Sequence, residues 1–254
     1  MAYKNVKKYG WKPDHPDHRD LQFTVARKTL KALPPKVDLR PQMPPVFNQG
    51  ELGSCTANSA CALIANGLTH EGQPLVIPSR LFQYYNTRLL ENTVRTDSGG
   101  SIRDSIKALA QYGFCPEALW PYNIKDFAKK PSPKLYAIAK KDVIKQYHRV
   151  TQNEDQIKAA LAQNLPVDFG FTVYESFESD SVAATGLVPM PVAHEKIMGG
   201  HAVLIVGYDD EKSLYTVRNS WGSGWGVDGY CYMPYAFINS PKYASDFWVV
   251  SVVG

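Results

Sequence analysis

A cysteine at the start of a helix can hold its sulfur as thiolate, because free backbone N–H groups and the helix dipole favour the anion. Cys55 has that setting. It follows Asn48-Gln49-Gly50-Glu51-Leu52-Gly53-Ser54 and opens a run in which Ala57, Ala60, Cys61, Ile64 and Leu68 recur with helical period. Far downstream, Gly199-Gly200 precede His201, and Asn219 begins the run Asn219-Ser220-Trp221-Gly222. A reacting thiolate needs an imidazole to carry its proton, and the imidazole needs a third group to fix its orientation. Cys55, His201 and Asn219 are candidates for these three parts of an acyl-transfer reaction. Singly, each has a blander reading: a buried core thiol, a structural histidine, a residue of a glycine-rich turn. Cys61 shares the inward stripe with Ala57 and Ile64 and is read as core filler.

The order Cys-His-Asn, the residues around each, and the long run Asn219-Ser220-Trp221-Gly222 to Trp225-Gly226 and Gly229-Tyr230 resemble papain-like cysteine peptidases. Within that family the likeness is to short bacterial members. The resemblance implies that Cys55 is the nucleophile and His201 its imidazolium partner and the acid to the leaving amine. Asn219 would then orient the imidazole and Trp221 cover their bond. Gln49 would supply an oxyanion donor beside the Cys55 backbone N–H, with Gly53 and Ser54 supporting the turn between them. Gly99 and Gly100 would line the non-primed side of the cleft. There the second glycine would pair antiparallel with the substrate residue two before the scissile bond. Ile102, Ala202, Gly200 and the strand Phe169 to Phe171 would bound an apolar second subsite suited to Leu, Val or Phe.

The function so implied is that of a cysteine endopeptidase acting on polypeptides through an acyl-enzyme, with no cofactor and no metal. The alternatives are a catalytically impaired papain-like binding or regulatory protein and another Cys-His acyl-transfer enzyme. Retention of Cys55, His201, Asn219 and Gln49 argues against the first, and Asn219-Ser220-Trp221 against the second. Two departures from the family pattern stand out: Thr56 where an aromatic residue usually follows the nucleophile, and Leu52 in place of a usual half-cystine. With Thr56 unable to fill an indole's volume, the residues around the His–Asn bond are expected to be rearranged.

The elements that must hold these residues fall into two kinds. Helical patterns cover the stretch from Cys55, Ser79 to Leu90, the segment after Ser101 with its capping box, and Asn153 to Gln163. Strand patterns cover Val167 to Val173, His201 to Tyr208, Leu214 to Arg218, Gly229 to Met233 and Phe247 to Val253. Helices first and strands later predict an α+β protein of two lobes. The expected papain-like fold has a helical N-terminal lobe (about 50–150) and an antiparallel, barrel-like C-terminal lobe (about 151–254), together making a catalytic domain over 33–254.

Residues 1–32 are polar and without a helical inhibitor pattern; they are expected to be a leader or short propeptide, either one that could cross the cleft in extended form and gate it or a structural arm or disordered segment. Asp14, His15, Asp17, His18 and Asp20 lack the spacing of a closed metal site. A net charge of +4 is too mild to call for nucleic acid, and the six lysines from Lys129 to Lys145 are read as a solvated stretch. No stretch has the length of a membrane span, and no signal peptide begins the chain. Four cysteines in 254 residues need no disulfide frame, so reduced thiols in a soluble monomer are expected.

Overall fold

The computed structural model describes residues 9–253. Its α-helices are α1 (Arg27–Leu30), α2 (Cys55–His70), α3 (Arg80–Leu90), α4 (Ile102–Tyr112), α5 (Pro133–Ala139), α6 (Glu154–Ala162), α7 (Asp180–Thr185) and α8 (Tyr235–Ile238). The strands are β1 (Lys36–Asp38), β2 (Ile144–Arg149), β3 (Val167–Tyr174), β4 (Ile197–Asp209), β5 (Leu214–Arg218), β6 (Tyr230–Pro234) and β7 (Ala244–Val253).

Helix α2 is buried on every side from Cys55 to Asn66, with polar Thr56, Asn58, Ser59 and Asn66 among small and apolar residues. Such a helix belongs at the centre of a fold rather than on its surface. It lies against α3 and α4 on one side and against β3, β4 and β7 on the other. Helices α3 and α4 are amphipathic and locally started. Ser79 accepts from the Phe82 N–H, and Ser101 accepts from the Asp104 N–H. Each cap satisfies a backbone donor that the first helical turn leaves free.

The strands form one antiparallel sheet in the order β2-β7-β3-β4-β5-β6, with β1 paired to the end of β4. Strand β4 is the longest, and its two ends serve different partners on one side. β3 pairs with it up to Ile205, and β1 takes over from Gly207 to Asp209. The interior is aromatic: Phe169 stacks on Phe247, Phe171 meets Phe177 and Phe237, and Trp225 and Trp248 are buried.

The lysine-rich stretch contains more structure than its composition suggests. Leu135 and Ala139 of α5 are buried, as is Ile144 at the start of β2, while the lysines between point outward. The sheet thus recruits β1 and β2 from the part of the chain that precedes residue 150. All four cysteines are free and buried. Among the described residues no helix is long and apolar enough to cross a membrane, and no His, Cys, Asp and Glu cluster could hold a metal.

Candidate active site

Cys55 is the first residue of α2, and Ser54, although at the N-cap position, does not cap the helix. Its hydroxyl is engaged by Tyr122 at 2.5 Å and by the Asn58 amide at 3.0 Å. The first N–H groups of α2 are therefore left for whatever sits at its mouth. The backbone N–H groups of Ala202 on β4, of Gly10 in the leader and of Thr56 favour the anionic form of the Cys55 sulfur.

His201 is fully buried on β4, and Asn219 follows β5, one strand over. The Asn219 Oδ1 accepts from the Ser220 N–H at 2.8 Å. That fixes the amide's orientation, because its nitrogen could not accept. The same oxygen lies 2.8 Å from His201 Nε2, so this ring nitrogen carries the hydrogen and donates. His201 Nδ1 remains as the lone-pair nitrogen, without a partner among the described residues. Trp221 stacks on the imidazole with centroids 5.3 Å apart and planes at 29°, backed by Trp225 and Phe177.

The Gln49 side chain is buried and held at both ends. Its Oε1 accepts from the Ser220 hydroxyl at 2.7 Å, and its Nε2 donates to the Leu52 carbonyl at 3.0 Å. An amide nitrogen has two hydrogens, and Leu52 takes one. Thr56 is not part of the His–Asn surroundings, contrary to the expectation from its size. Its side chain lies toward Gly100, and its carbonyl accepts from Ser59 and Ser105.

The glycine pair is held from behind. Tyr84 donates to Asp97 and accepts from the Gly99 N–H, while Glu91 accepts from the Ser101 N–H. Gly99 has φ +70°, a left-handed conformation suited to glycine.

The cleft is filled by the chain's own leader. Gly100 N–H donates to the Gly10 carbonyl at 2.8 Å, Lys12 N–H to the Gly100 carbonyl at 3.2 Å, and Trp11 N–H to the Gly200 carbonyl at 3.0 Å. The Trp11–Gly100 bridge is parallel. Gly10 passes so close to the turn before Cys55 that a Cβ there would lie 1.8 Å from the Gly53 carbonyl oxygen. Tyr9 stands over His201 and Trp221 and donates to Glu178. Burial, then the bond to that carboxylate, raise the Tyr9 phenol above its ordinary range.

Past the cleft the leader is tied down by charge. Asp14 accepts from the Arg103 backbone N–H, from Trp248 Nε1 at 2.9 Å and from Arg149 at 3.2 Å. Arg103 pairs with Asp20, and Arg149 with Asp246 at 2.9 Å. Leu21 and Phe23 then bond the backbone of Arg149 on β2.

Covering has an electrostatic consequence. Burial pushes the Cys55 thiol up to about 11, against the lowering effect of its three N–H donors. Burial also takes the His201 imidazole down to about 4, against the bond to Asn219. In each case desolvation penalises the charged form.

The structure brings Cys55, His201, Asn219, Gln49, Gly100 and Gly200 together here, and with them Tyr9, Trp11 and Glu178, to which the sequence did not point. The one available signal was an aromatic pair flanking Gly10 in an otherwise polar segment.

Comparison with known proteins gives the class. Residues 33–246 match the family model of papain family cysteine proteases. The structure superimposes on xylellain, a cysteine protease from Xylella fastidiosa, with TM-score 0.91 and 44% identity, covering 99% of this chain and 98% of that one. An uncharacterized peptidase C1-like protein of Acanthamoeba polyphaga mimivirus is 39% identical over 97% of this chain and 88% of its own length. Papain of Carica papaya is 32% identical over 78% of this chain, which spans 54% of that relative. The chain belongs to the papain family of cysteine proteases. Its fold is papain-like, and its reaction class is that of a cysteine-type peptidase.

Proposed function

We propose that the chain is an endopeptidase whose reacting groups are Cys55, His201, Asn219 and Gln49, and whose leader keeps the site closed. With the leader displaced, water reaches the pair, and the proton passes from Cys55 Sγ to His201 Nδ1. The thiolate adds to the scissile carbonyl carbon, and the Cys55 N–H and the free Gln49 N–H bind the developing oxyanion. The His201 imidazolium returns its proton to the leaving amine as the C–N bond breaks, leaving a thioester. Water then attacks the thioester with its proton taken by His201, and the acid product departs as Cys55 regains its hydrogen. Gly99, Gly100 and Gly200 would hold the substrate backbone, with Ile102 and Ala202 at the second subsite.

One observation carries this reading: Asn219 Oδ1 is committed as an acceptor by Ser220, which leaves His201 Nδ1 as the ring's free base. The leader supports it from the substrate's side. It occupies the glycine pair with parallel pairing, so it runs opposite to the direction expected of substrate and presents no bond in the productive sense.

The test is labelling with a thiol-directed peptidyl electrophile, with cleavage of a peptide series measured alongside. A single adduct on Cys55, lost with Cys55→Ala, together with internal cleavage, supports the proposal. An adduct without any turnover after leader displacement would instead mark a binding protein that retains a reactive thiol.

A further inference from the structure

Asp168 on β3 is a fully buried carboxyl that the peptidase chemistry does not use. It lies two residues before Gly170, on the face of the strand that meets Trp11. Leu204 on β4 and Trp248 on β7 stand opposite it. From α2, one turn after Cys55, Ser59 reaches down to it. The hydrogens around Ser59 favour a proton on Asp168. Ser59 Oγ lies 3.0 Å from Asp168 Oδ2 and 3.0 Å from the Thr56 carbonyl oxygen, and a hydroxyl has one hydrogen for two such acceptors. A neutral Asp168 supplies the second: its O–H donates to Ser59, whose own O–H then donates to Thr56. The other carboxyl oxygen, Oδ1, is buried without a partner among the described residues, a setting far costlier for an anion than for a neutral C=O.

Among the described residues no cation pairs with Asp168. Arg103 of α4 is paired with Asp20, and Arg149 of β2 with Asp14 and Asp246. Lys158 of α6 is held by Glu154 and Asp210. What faces Asp168 instead is Cys55 from α2 and Asp14 from the leader, with uncharged Leu204 and Trp248 on the flanking strands. Burial pushes the Asp168 carboxyl well above its usual range and Asp14 adds to this, against the bonds from Ser59 and the Phe169 N–H.

We propose that Asp168 is a positioning residue kept as the neutral acid: through Ser59 it pins the Thr56 carbonyl, and so the turn that presents the Cys55 thiol. Loss of its proton to solvent at alkaline pH turns the Ser59 hydrogen away from Thr56 and sets an anion below the thiolate. That anion acts on Cys55, whereas His201 is shifted by burial and by Asn219. The reactive thiolate–imidazolium pair is thereby disfavoured. The kinetic part of this proposal rests on the peptidase reading above; the proton on Asp168 does not.

The test compares the full chain with Asp168→Asn, which keeps a donor to Ser59 and cannot ionise. The infrared spectrum of the parent at neutral pH should hold the C=O stretch of a protonated carboxyl that the variant lacks. Stability supplies the sign. An unfolded Asp168 loses its proton at about pH 4 and the folded one only well above that. From there upward the folding constant of the parent should fall about tenfold per pH unit relative to Asp168→Asn, until the folded residue ionises. In chains that also carry Trp11→Ala, the alkaline fall in kcat for peptide hydrolysis should come at lower pH with Asp168 than with Asn. Asp168→Ala should lower kcat at neutral pH, and Asn should restore it. A missing infrared band, or a stability difference that does not grow with pH, would overturn the neutral acid. Identical alkaline limbs in parent and Asn variant would overturn the positioning role. Absence of turnover in every chain, with the infrared band present, would instead overturn the peptidase reading and leave the neutral acid standing.

Discussion

The ring of Tyr9 stands edge-on to His201, with centroids 5.9 Å apart and planes at 71°. A residue of the leader thus closes the space beside the imidazole, while Gly10 passes against the turn that carries the thiol and Trp11 lies against Gly170 and Gly200. The charge state of the pair and the position of the leader are thereby linked.

His201 in the full chain is expected to titrate near 4, and in the Trp11→Ala protein near or above the ordinary imidazole value of about 6.5. The sign follows from burial, which lowers a base by penalising its cation. Between the two values the open form takes up a proton that the closed form refuses, so falling pH favours opening as far as His201 is concerned. Asp14 acts the other way: burial first and Asp246 next raise its pKa, so the closed form gains a proton there as pH falls. NMR titration of the His201 ring separates the two, and an unshifted value in the variant would break the link between covering and charge.

Trp11→Ala should speed Cys55 modification by iodoacetamide at neutral pH by roughly 10- to 100-fold, the equivalent of losing the burial of one large apolar side chain. Tyr9→Ala should act in the same direction. Unchanged rates in both would mean that the leader does not gate the thiol.

Cys55→Ala and His201→Ala should each lower peptide hydrolysis by about a thousandfold or more with the fold retained. Asn219→Ala should cost less activity, since the reacting atoms remain. It should also cost about 1–3 kcal/mol of stability, because the Ser220 N–H is left buried without its acceptor. Gln49→Ala should lower kcat/KM by about 10- to 1,000-fold through kcat. A change confined to KM would assign Gln49 to binding instead.

Arg103→Ala should destabilise the full chain by on the order of 3 kcal/mol in denaturant unfolding, because Asp20 is left buried and short of its main partner. Deleting residues 1–32 should therefore both open the site and lower stability. Point variants at Tyr9 and Trp11 separate the two effects, and an Arg103→Ala protein of unchanged midpoint would show that the leader contributes no structure.

The helices and strands that hold the reacting groups were legible because their patterns are strong. Ser79, Ser101 and Asn153 each cap the helix their spacing announced, and β3 to β7 follow their apolar runs closely. Strand β2 was not legible. Ile144-Lys-Gln-Tyr-His-Arg149 borders the sheet, exposes Lys145 and Gln146, and offers no alternation to read. The place of the leader was left open by its composition, and its contacts are single residues matched to glycines far away in sequence. Gly10 against Gly53 and Trp11 against Gly170 are facts of three-dimensional approach that no local period encodes.

The attachment of Leu21 and Phe23 to β2, with Asp20 on Arg103, gives the leader a foot separate from its head at Tyr9 to Lys12. If the head lifts while the foot stays, it remains at an effective concentration on the order of millimolar, as for any short tether. A segment that would bind only weakly as a free peptide can then keep the site mostly closed, yet yield to a substrate present at a comparable level. The same sequence supplied in trans at micromolar concentration should inhibit poorly, because its strength lies in attachment rather than in affinity.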